Sequence, residues 1–386
     1  MYRDLTEYYL RWYHTKPVVI TSERRDELRR LHRVLYTCIC HFVAHYREFL
    51  PICMPLSQRE MDILAEQERN PFKAGTYRPD YIVANDGRLL LCEITSRFFA
   101  HGIFMSVFDL RARERFLKKI GAPLCPSRFQ EMMDYMLSIV GDHKRIFVFK
   151  SADKTSEIRL YKQFYEQRGI QVTVLEAEEV ESHIDQWKHD AFLVSALNQK
   201  DILRMSDPTL QAMMEAGMYS DFRNIFLIHD KRFMYLWFLD EFTNGCLDAD
   251  DTKLLRSHAI PTFLGVPKEA FANKDAFIVK PCRLGKSEGL LPGPLTKEEE
   301  WQRRLRIAPE EMVTQPFIKQ KTYPTMWEDL FFEDYICGMM LCVDDRYFDS
   351  GFFRCSSLPV TNIGDNRMAC VIHTDDPFII SHCDRL

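Results

Sequence analysis

The chain has 386 residues, 46% hydrophobic and 28% charged, with a formal net charge of −5. That length supports a sizeable composite core, and the slightly acidic balance speaks against a nucleic-acid-binding surface. No apolar run reaches the ~18–20 residues of a membrane-spanning helix, so no membrane partner is expected.

Helical spacing of Leu28, Leu31, Leu35 and Ile39 predicts a helix over 22–50, with Ser22 placed to cap it. A polar helix is expected over 57–69, so residues 1–70 read as an N-terminal helical segment. The opening MYRDLTEYYLRWYH is charged and aromatic, unlike a secretory leader, and a cytoplasmic protein is expected. The cysteines are scattered without a CxxC pair, and are expected as reduced, mostly buried thiols.

RPDYIVANDGRLLLCEITSRF, residues 78–98, reads as a hairpin: two apolar runs flank Asn85-Asp86-Gly87, residues that tolerate the positive φ of tight turns. Pairing of the runs brings Asp80 and Glu93 together at its open end. Two adjacent carboxylates need a cation, a proton or strong hydrogen bonds. With Thr95 on the same face as Glu93, they suit Mg²⁺, which prefers oxygen ligands and bridges to phosphates. Arg78 and Arg97 then suit phosphoryl oxygens. The alternative is a pair of structural salt bridges. Helices predicted over 107–119 and 126–140 complete a unit spanning 71–140.

A different rhythm follows over 141–230. Strand 145–150, helix 156–169 and strand 170–176 form a unit of the parallel-sheet kind, and 190–197 and 224–230 read as further strands. No GxGxxG joins strand to helix, which weakens a dinucleotide reading. In 231–386, helices are expected over 231–242 and 252–258, and a buried strand over 310–318. Two strands should flank the Asp344-Asp345 turn. AFIVKPCRLGKSEGLL presents a strand ending at Lys280, then a loop with Gly285, Lys286 and Gly289. Such a loop suits an anion, since glycines let backbone N–H groups approach phosphate; a solvated loop is the plainer reading. Arg354, between phenylalanines and small residues, should be buried and need a carboxylate or a bound anion. The fold class is α/β, a composite of these pieces.

The order of these segments resembles the circularly permuted ATP-grasp ligases, of which glutathionylspermidine synthase is the familiar example. The resemblance rests on Arg78-Pro-Asp80, Gly87 and Glu93-Ile-Thr95, then Asp230-Lys231-Arg232-Phe233, Val279-Lys280-Pro281 through Gly289, Val313-Thr314-Gln315, and Arg354 with Thr361-Asn362. It implies a permuted ATP-grasp fold with a Rossmann-like pre-ATP-grasp portion over 141–230. It also implies ATP and Mg²⁺: Asp80, Glu93 and Thr95 on the metal, and Lys231, Lys280 and the loop Gly285, Lys286, Gly289 on the phosphates. The backbone from Gln315 to Ile318 would meet the adenine, and Arg78 and Arg354 would stabilise an acyl phosphate. Thr95 stands where that family has Asn, and no amidase domain accompanies the segment. The implied activity is ADP-forming amide synthesis between a small carboxylate and an amine, of amino-acid, peptide or polyamine type. A phosphotransferase or a degenerate nucleotide-binding protein is the alternative. Arg97, His101 and the segment from Arg346 to Arg354 are expected as substrate walls.

Overall fold

The computed structural model describes residues 2–97, 99–152, 157–285, 287–327, 330–362 and 367–386. Its largest sheet is antiparallel, in the order Arg367–Ala369, Phe353–Ser356, Leu330–Val343, Thr76–Val83, Leu89–Thr95. Strands Thr322–Trp327 and Arg346–Ser350 also pair with Leu330–Val343. Gly338, opposite Tyr81 in this sheet, has no room for a side chain: a Cβ there would lie 2.4 Å from the Tyr81 ring and 2.7 Å from Phe353.

The hairpin forms as its turn residues dictate. Gly87 takes φ +81° and donates to the Ala84 carbonyl at 2.8 Å. Its register pairs Asp80 with Glu93 but Tyr81 with Leu91, leaving Cys92 as the extra residue of a bulge. A bulge re-aims side chains locally, and here the consecutive residues Cys92 and Glu93 both reach the same cleft.

Beneath the sheet runs the helix Ser22–Cys53, whose buried stripe includes Leu28, Leu31, Leu35, Ile39 and Phe42. Its cap is Thr21, one residue before the expected Ser22; the Thr21 hydroxyl accepts from Arg24 N at 3.4 Å. The helix reaches the sheet through a 2.8 Å His32–Tyr77 hydrogen bond and the later chain through Phe42 stacked on Phe233. The N-terminal residues also hold a strand the sequence did not announce. Val18–Ile20 pairs in parallel with Val371–His373 and Asp384–Arg385.

A parallel sheet of Gln171–Glu176, Arg145–Lys150 and Phe192–Ala196 follows the strand–helix–strand expectation, with the helix Glu157–Glu166 between the first two in sequence. The expected strand over 224–230 is instead a π-helical turn, Asn224–Ile228, buried on all sides. Its apolar core, Ile225–Phe226–Leu227–Ile228, is too short to carry a periodicity that tells strand from helix. The helix expected over 231–242 is broken into Phe233–Leu236 and Asp240–Thr243. A smaller antiparallel sheet, in the order Phe263–Leu264, Met312–Pro316, Phe277–Pro281, Leu291–Pro292, faces the hairpin side of the large one. All twelve cysteines are free and eight are buried, as reduced core thiols would be. Among the described residues no helix is long and apolar enough to cross a membrane.

Candidate active site

A cleft open to solvent lies between the two antiparallel sheets. Its lining is apolar in part, with Ile82, Ile260, Ile278, Leu290 and Ile318, and charged in part, with Glu93, Lys231, Lys280 and Arg354. The small-sheet strands supply Lys280 and Gln315, the hairpin supplies Glu93, and Phe353–Ser356 supplies Arg354. Residues far apart in sequence therefore converge on one space.

The carboxylates of the hairpin end up differently. Asp80 is fully buried and does not line the cleft: its oxygens accept from Arg78 at 2.7 and 3.0 Å and from Arg354 at 2.7 Å. Its partners are thus guanidinium groups, the salt-bridge alternative for this residue, with Arg354 as a second partner. Glu93 faces the cleft, 3.9 Å from the Lys231 amine. Burial would push its carboxyl up, but Lys231, Lys280, Arg354 and Arg78 together hold it below the usual carboxylate range. Thr95 is buried opposite Arg78 in the hairpin and is absent from the cleft wall. Among the described residues no three His, Cys, Asp or Glu side chains form a metal cluster.

Lys231 is 6% exposed and donates to the Leu284 carbonyl at 2.5 Å; its backbone N–H bonds the Cys282 carbonyl at 2.9 Å. Burial, above all, pulls its pKa down, with Lys280 adding to this against the pull of Glu93. Its neighbour Asp230, fully buried, accepts from Arg232 at 2.9 and 2.7 Å and from Arg283 at 3.0 Å, and Arg283 reaches Glu60 at 2.6 Å. That network pins the segment bearing Lys231 to the glycine loop and to the helix Gln58–Gln67. Lys280 donates to the Cys92 carbonyl at 3.1 Å and makes no ion pair among the described residues.

Arg354 donates to Asp80 at 2.7 Å and to the Asn362 side-chain oxygen Oδ1 at 2.8 Å, and lies 3.3 Å from Cys337 Sγ. Burial works against its charge, but Cys337, Asp80 and Glu93 raise its pKa overall. Gln315 is 1% exposed; its amide nitrogen bonds Thr262 at 2.9 Å, while its oxygen has no partner among the described residues. Gly289 takes φ +69°, and a Cβ there would meet Pro281 at 2.8 Å, so the loop needs glycine at this point. Gly285 lies against the Arg97 guanidinium, at 3.6 Å from a would-be Cβ. Lys286 is outside the described residues. Of the expected wall residues, only Arg354 reaches this cleft; Arg97 packs behind the loop and His101 is buried. Sequence reading did not single out the apolar wall or Cys337; register pairing of Cys337 with Ile82 brings it in, and nothing local announces that.

A cleft between two sheets, lined by apolar side chains together with lysine and arginine cations, has the polarity that suits a nucleotide. Residues 30–227 match the family described as the AnkG N-terminal domain, and the chain belongs to that family. The chain is also 21% identical, over 373 residues, to the ATP-grasp enzyme ankG of Aspergillus thermomutatus, covering 80% of this chain and 77% of that protein. The likeness supports membership among ATP-grasp enzymes, and with it an ATP-dependent activity of the ligase type.

Proposed function

We propose that the chain is an ADP-forming carboxylate–amine ligase with a circularly permuted ATP-grasp arrangement, the Rossmann-like portion lying in 141–230. The carrying observation is the charge imbalance in the cleft. Lys231 and Lys280 are buried and Arg354 half-buried around Glu93, while Asp80 is already divided between Arg78 and Arg354. Glu288 also lines the cleft, on the glycine loop. Buried cations need anionic partners, and polyphosphate is the anion that this site best fits.

In this reading the adenine lies in the apolar part of the cleft beside Gln315 and Ile318, where the unpartnered Gln315 oxygen supplies an acceptor for an amino group. Lys231 and Lys280 hold phosphate oxygens, and Gly285 and Gly289 let the loop close over them, with Lys286 in that loop. Glu93 would hold Mg²⁺, which would draw off charge from the phosphates; one carboxylate plus phosphate oxygens and water would suffice for such an ion. Asp80 acts one layer behind, fixing Arg78 and Arg354 in orientation, and Thr95 supports the hairpin beneath Glu93. Arg354, aimed by Asp80 and Asn362, neutralises oxygens at the acyl centre. Catalysis here is positioning and charge stabilisation rather than nucleophilic chemistry by the protein.

The test is ADP release with Mg·ATP across pairs of small carboxylates and amines, on wild type and on Glu93→Gln. Release that requires both partners and is lost in the variant supports amide synthesis. ADP release with a phosphorylated acceptor as final product, and no amine requirement, would establish the phosphotransferase alternative instead.

A further inference from the structure

A second pocket, open to solvent, adjoins the cleft at Arg354. Arg354, Thr361 and Asn362 line both spaces. The far wall is aromatic: Tyr8, Tyr9 and Trp12 come from the N-terminal helix Tyr2–Leu10 and the turn after it, with Phe352 and Met368 from the large-sheet side. Resting on the ligase reading above, we propose that this pocket takes the acyl donor, and that the donor is a carboxylate carrying an aromatic or other flat unsaturated ring.

The charge of the pocket selects a carboxylate. Its described lining holds Arg354 and Arg367 and no Asp or Glu. The Arg367 charge is answered by Asp334, which it grips at 2.8 and 2.6 Å. Arg354 shares its carboxylate, Asp80, with Arg78. An anion entering from the pocket therefore meets Arg354, the residue that also lines the cleft, whereas an ammonium would meet like charge.

Ring selection follows from the aromatic wall. Tyr9 is stacked on Phe108 at 4.4 Å and fixes the helix against Ser106–Lys119, together with a 3.0 Å Arg115–Glu7 bond. Tyr8, 48% exposed, stands 6.5 Å from Trp12 at 67°. Arg11 covers both rings, at 4.3 and 5.2 Å from their centroids. Backbone bonds from Met368 N to Trp12 O at 2.9 Å and from His14 N to Met368 O at 2.7 Å hold this turn beside the strand Arg367–Ala369. Phe108 and Arg11 take up one side of these rings, and the aromatic surface that Tyr8, Tyr9 and Trp12 still present to the pocket favours packing on a flat ligand. The geometry gives the otherwise unassigned N-terminal helix a task.

The chemistry balances without further reagents. A donor carboxylate oxygen bonds the γ-phosphorus as the bond to the bridging oxygen breaks and ADP departs with that electron pair. The amine then bonds the carbonyl carbon, phosphate leaves, and the amine's surplus proton goes to solvent.

The experiment uses the full chain, saturated with Mg²⁺ and the non-hydrolysable analogue AMP-PCP, titrated by calorimetry with 3-(4-hydroxyphenyl)propionate and with hexanoate. Saturable binding of the aromatic acid, tighter than hexanoate, is expected. Loss of one stacking face in Tyr8→Ala should raise its Kd by about 3- to 10-fold, with AMP-PCP affinity unchanged. Equal binding of hexanoate, no binding of the aromatic acid, or an unmoved Kd in Tyr8→Ala would each overturn the pocket assignment. AMP-PCP failing to bind wild type would instead remove the ATP reading itself, and this proposal with it.

Discussion

Substituting Lys280 by Met separates a ligand-binding cation from a structural one. The amine is 6% exposed, and the Cys92 carbonyl at 3.1 Å is its hydrogen-bond partner among the described residues. Met keeps the length and the apolar stem but removes the charge. If Lys280 holds a phosphate oxygen, its loss removes a charge-assisted hydrogen bond of about 1.5–3 kcal/mol, raising the AMP-PCP Kd about 10- to 150-fold. Without nucleotide the effects oppose one another. The Cys92 carbonyl loses a bond worth about 1 kcal/mol, while a buried cation without a carboxylate partner no longer has to be desolvated. The ligand-free Tm should therefore stay near that of wild type. At a ligand concentration of about 100 wild-type Kd, binding stabilises wild type by about 2.7 kcal/mol and Lys280→Met by only about 0.3–1.4 kcal/mol. Calorimetry gives the Kd and thermal melts with and without Mg·AMP-PCP give the stabilisation. An unchanged Kd with a lowered ligand-free Tm would refute the reasoning and make Lys280 a structural donor to the hairpin.

Further outcomes follow from the same geometry. Glu93→Gln should lower Mg·ATP-dependent ADP release by about 100-fold or more, as removal of a charge stabiliser at the reacting phosphate does; activity within tenfold of wild type in a coupled assay would contradict it. Because Glu93 is held below its ordinary value of 4.5, the stability it contributes is present above that pH and lost as pH falls through its depressed value. Acid melts of Glu93→Gln should lack that component. Asp109 behaves in the opposite sense: burial pushes its carboxyl from 3.8 up to about 6, outweighing Arg113 and a 3.1 Å bond from Val371 N. The folded state then holds a proton that the unfolded chain has released, so stability falls as pH rises across that window. The Tm of Asp109→Asn relative to wild type should rise between pH 4 and pH 7, and a constant difference would count against this. Gly338→Ala should cost about 1–3 kcal/mol or more through its clash with Tyr81 and Phe353, read as a lower urea midpoint.

Local signals carried much of the architecture. The Asp86-Gly87 turn, the apolar stripe of the long helix and the alternation of strands with a helix over 145–176 are written in short-range chemistry, and the structure follows them. Where burial is complete, the signal fades: Asn224–Ile228 is buried on all sides, and its π-helical turn is held by tertiary contacts such as the Asn224 side-chain amide donating to the Ala74 carbonyl at 3.0 Å. The strand Val18–Ile20 was hidden because its three residues find partners only at 371–373 and 384–385. At the site, the residue types were legible but their pairing was not. Asp80 and Glu93 read as equivalent neighbours, and only the bulge at Cys92 and the arrival of Arg354 from 274 residues away divide their fates.

That division bears on how the site is built from the two halves of the chain. The family match covers 30–227 and so contains Arg78, Asp80 and Glu93, whereas Lys231, Lys280 and Arg354 all follow it. Glu93 sits in a partly buried setting where an ionised carboxyl is tolerable because three of those later cations surround it. The cations in turn crowd together with too little carboxylate to answer them, a deficit that an incoming polyphosphate would remove under the proposed function. The strand Leu330–Val343 physically joins the halves by pairing with Thr76–Val83, register Met339 to Asp80 and Gly338 to Tyr81. A fragment ending at residue 227 would lose this strand, expose an unpaired edge and leave Glu93 without its cations. It should therefore neither fold as it does in the chain nor bind AMP-PCP. A fragment that did both would place the nucleotide entirely within the matched region and displace Lys231, Lys280 and Arg354 from the mechanism.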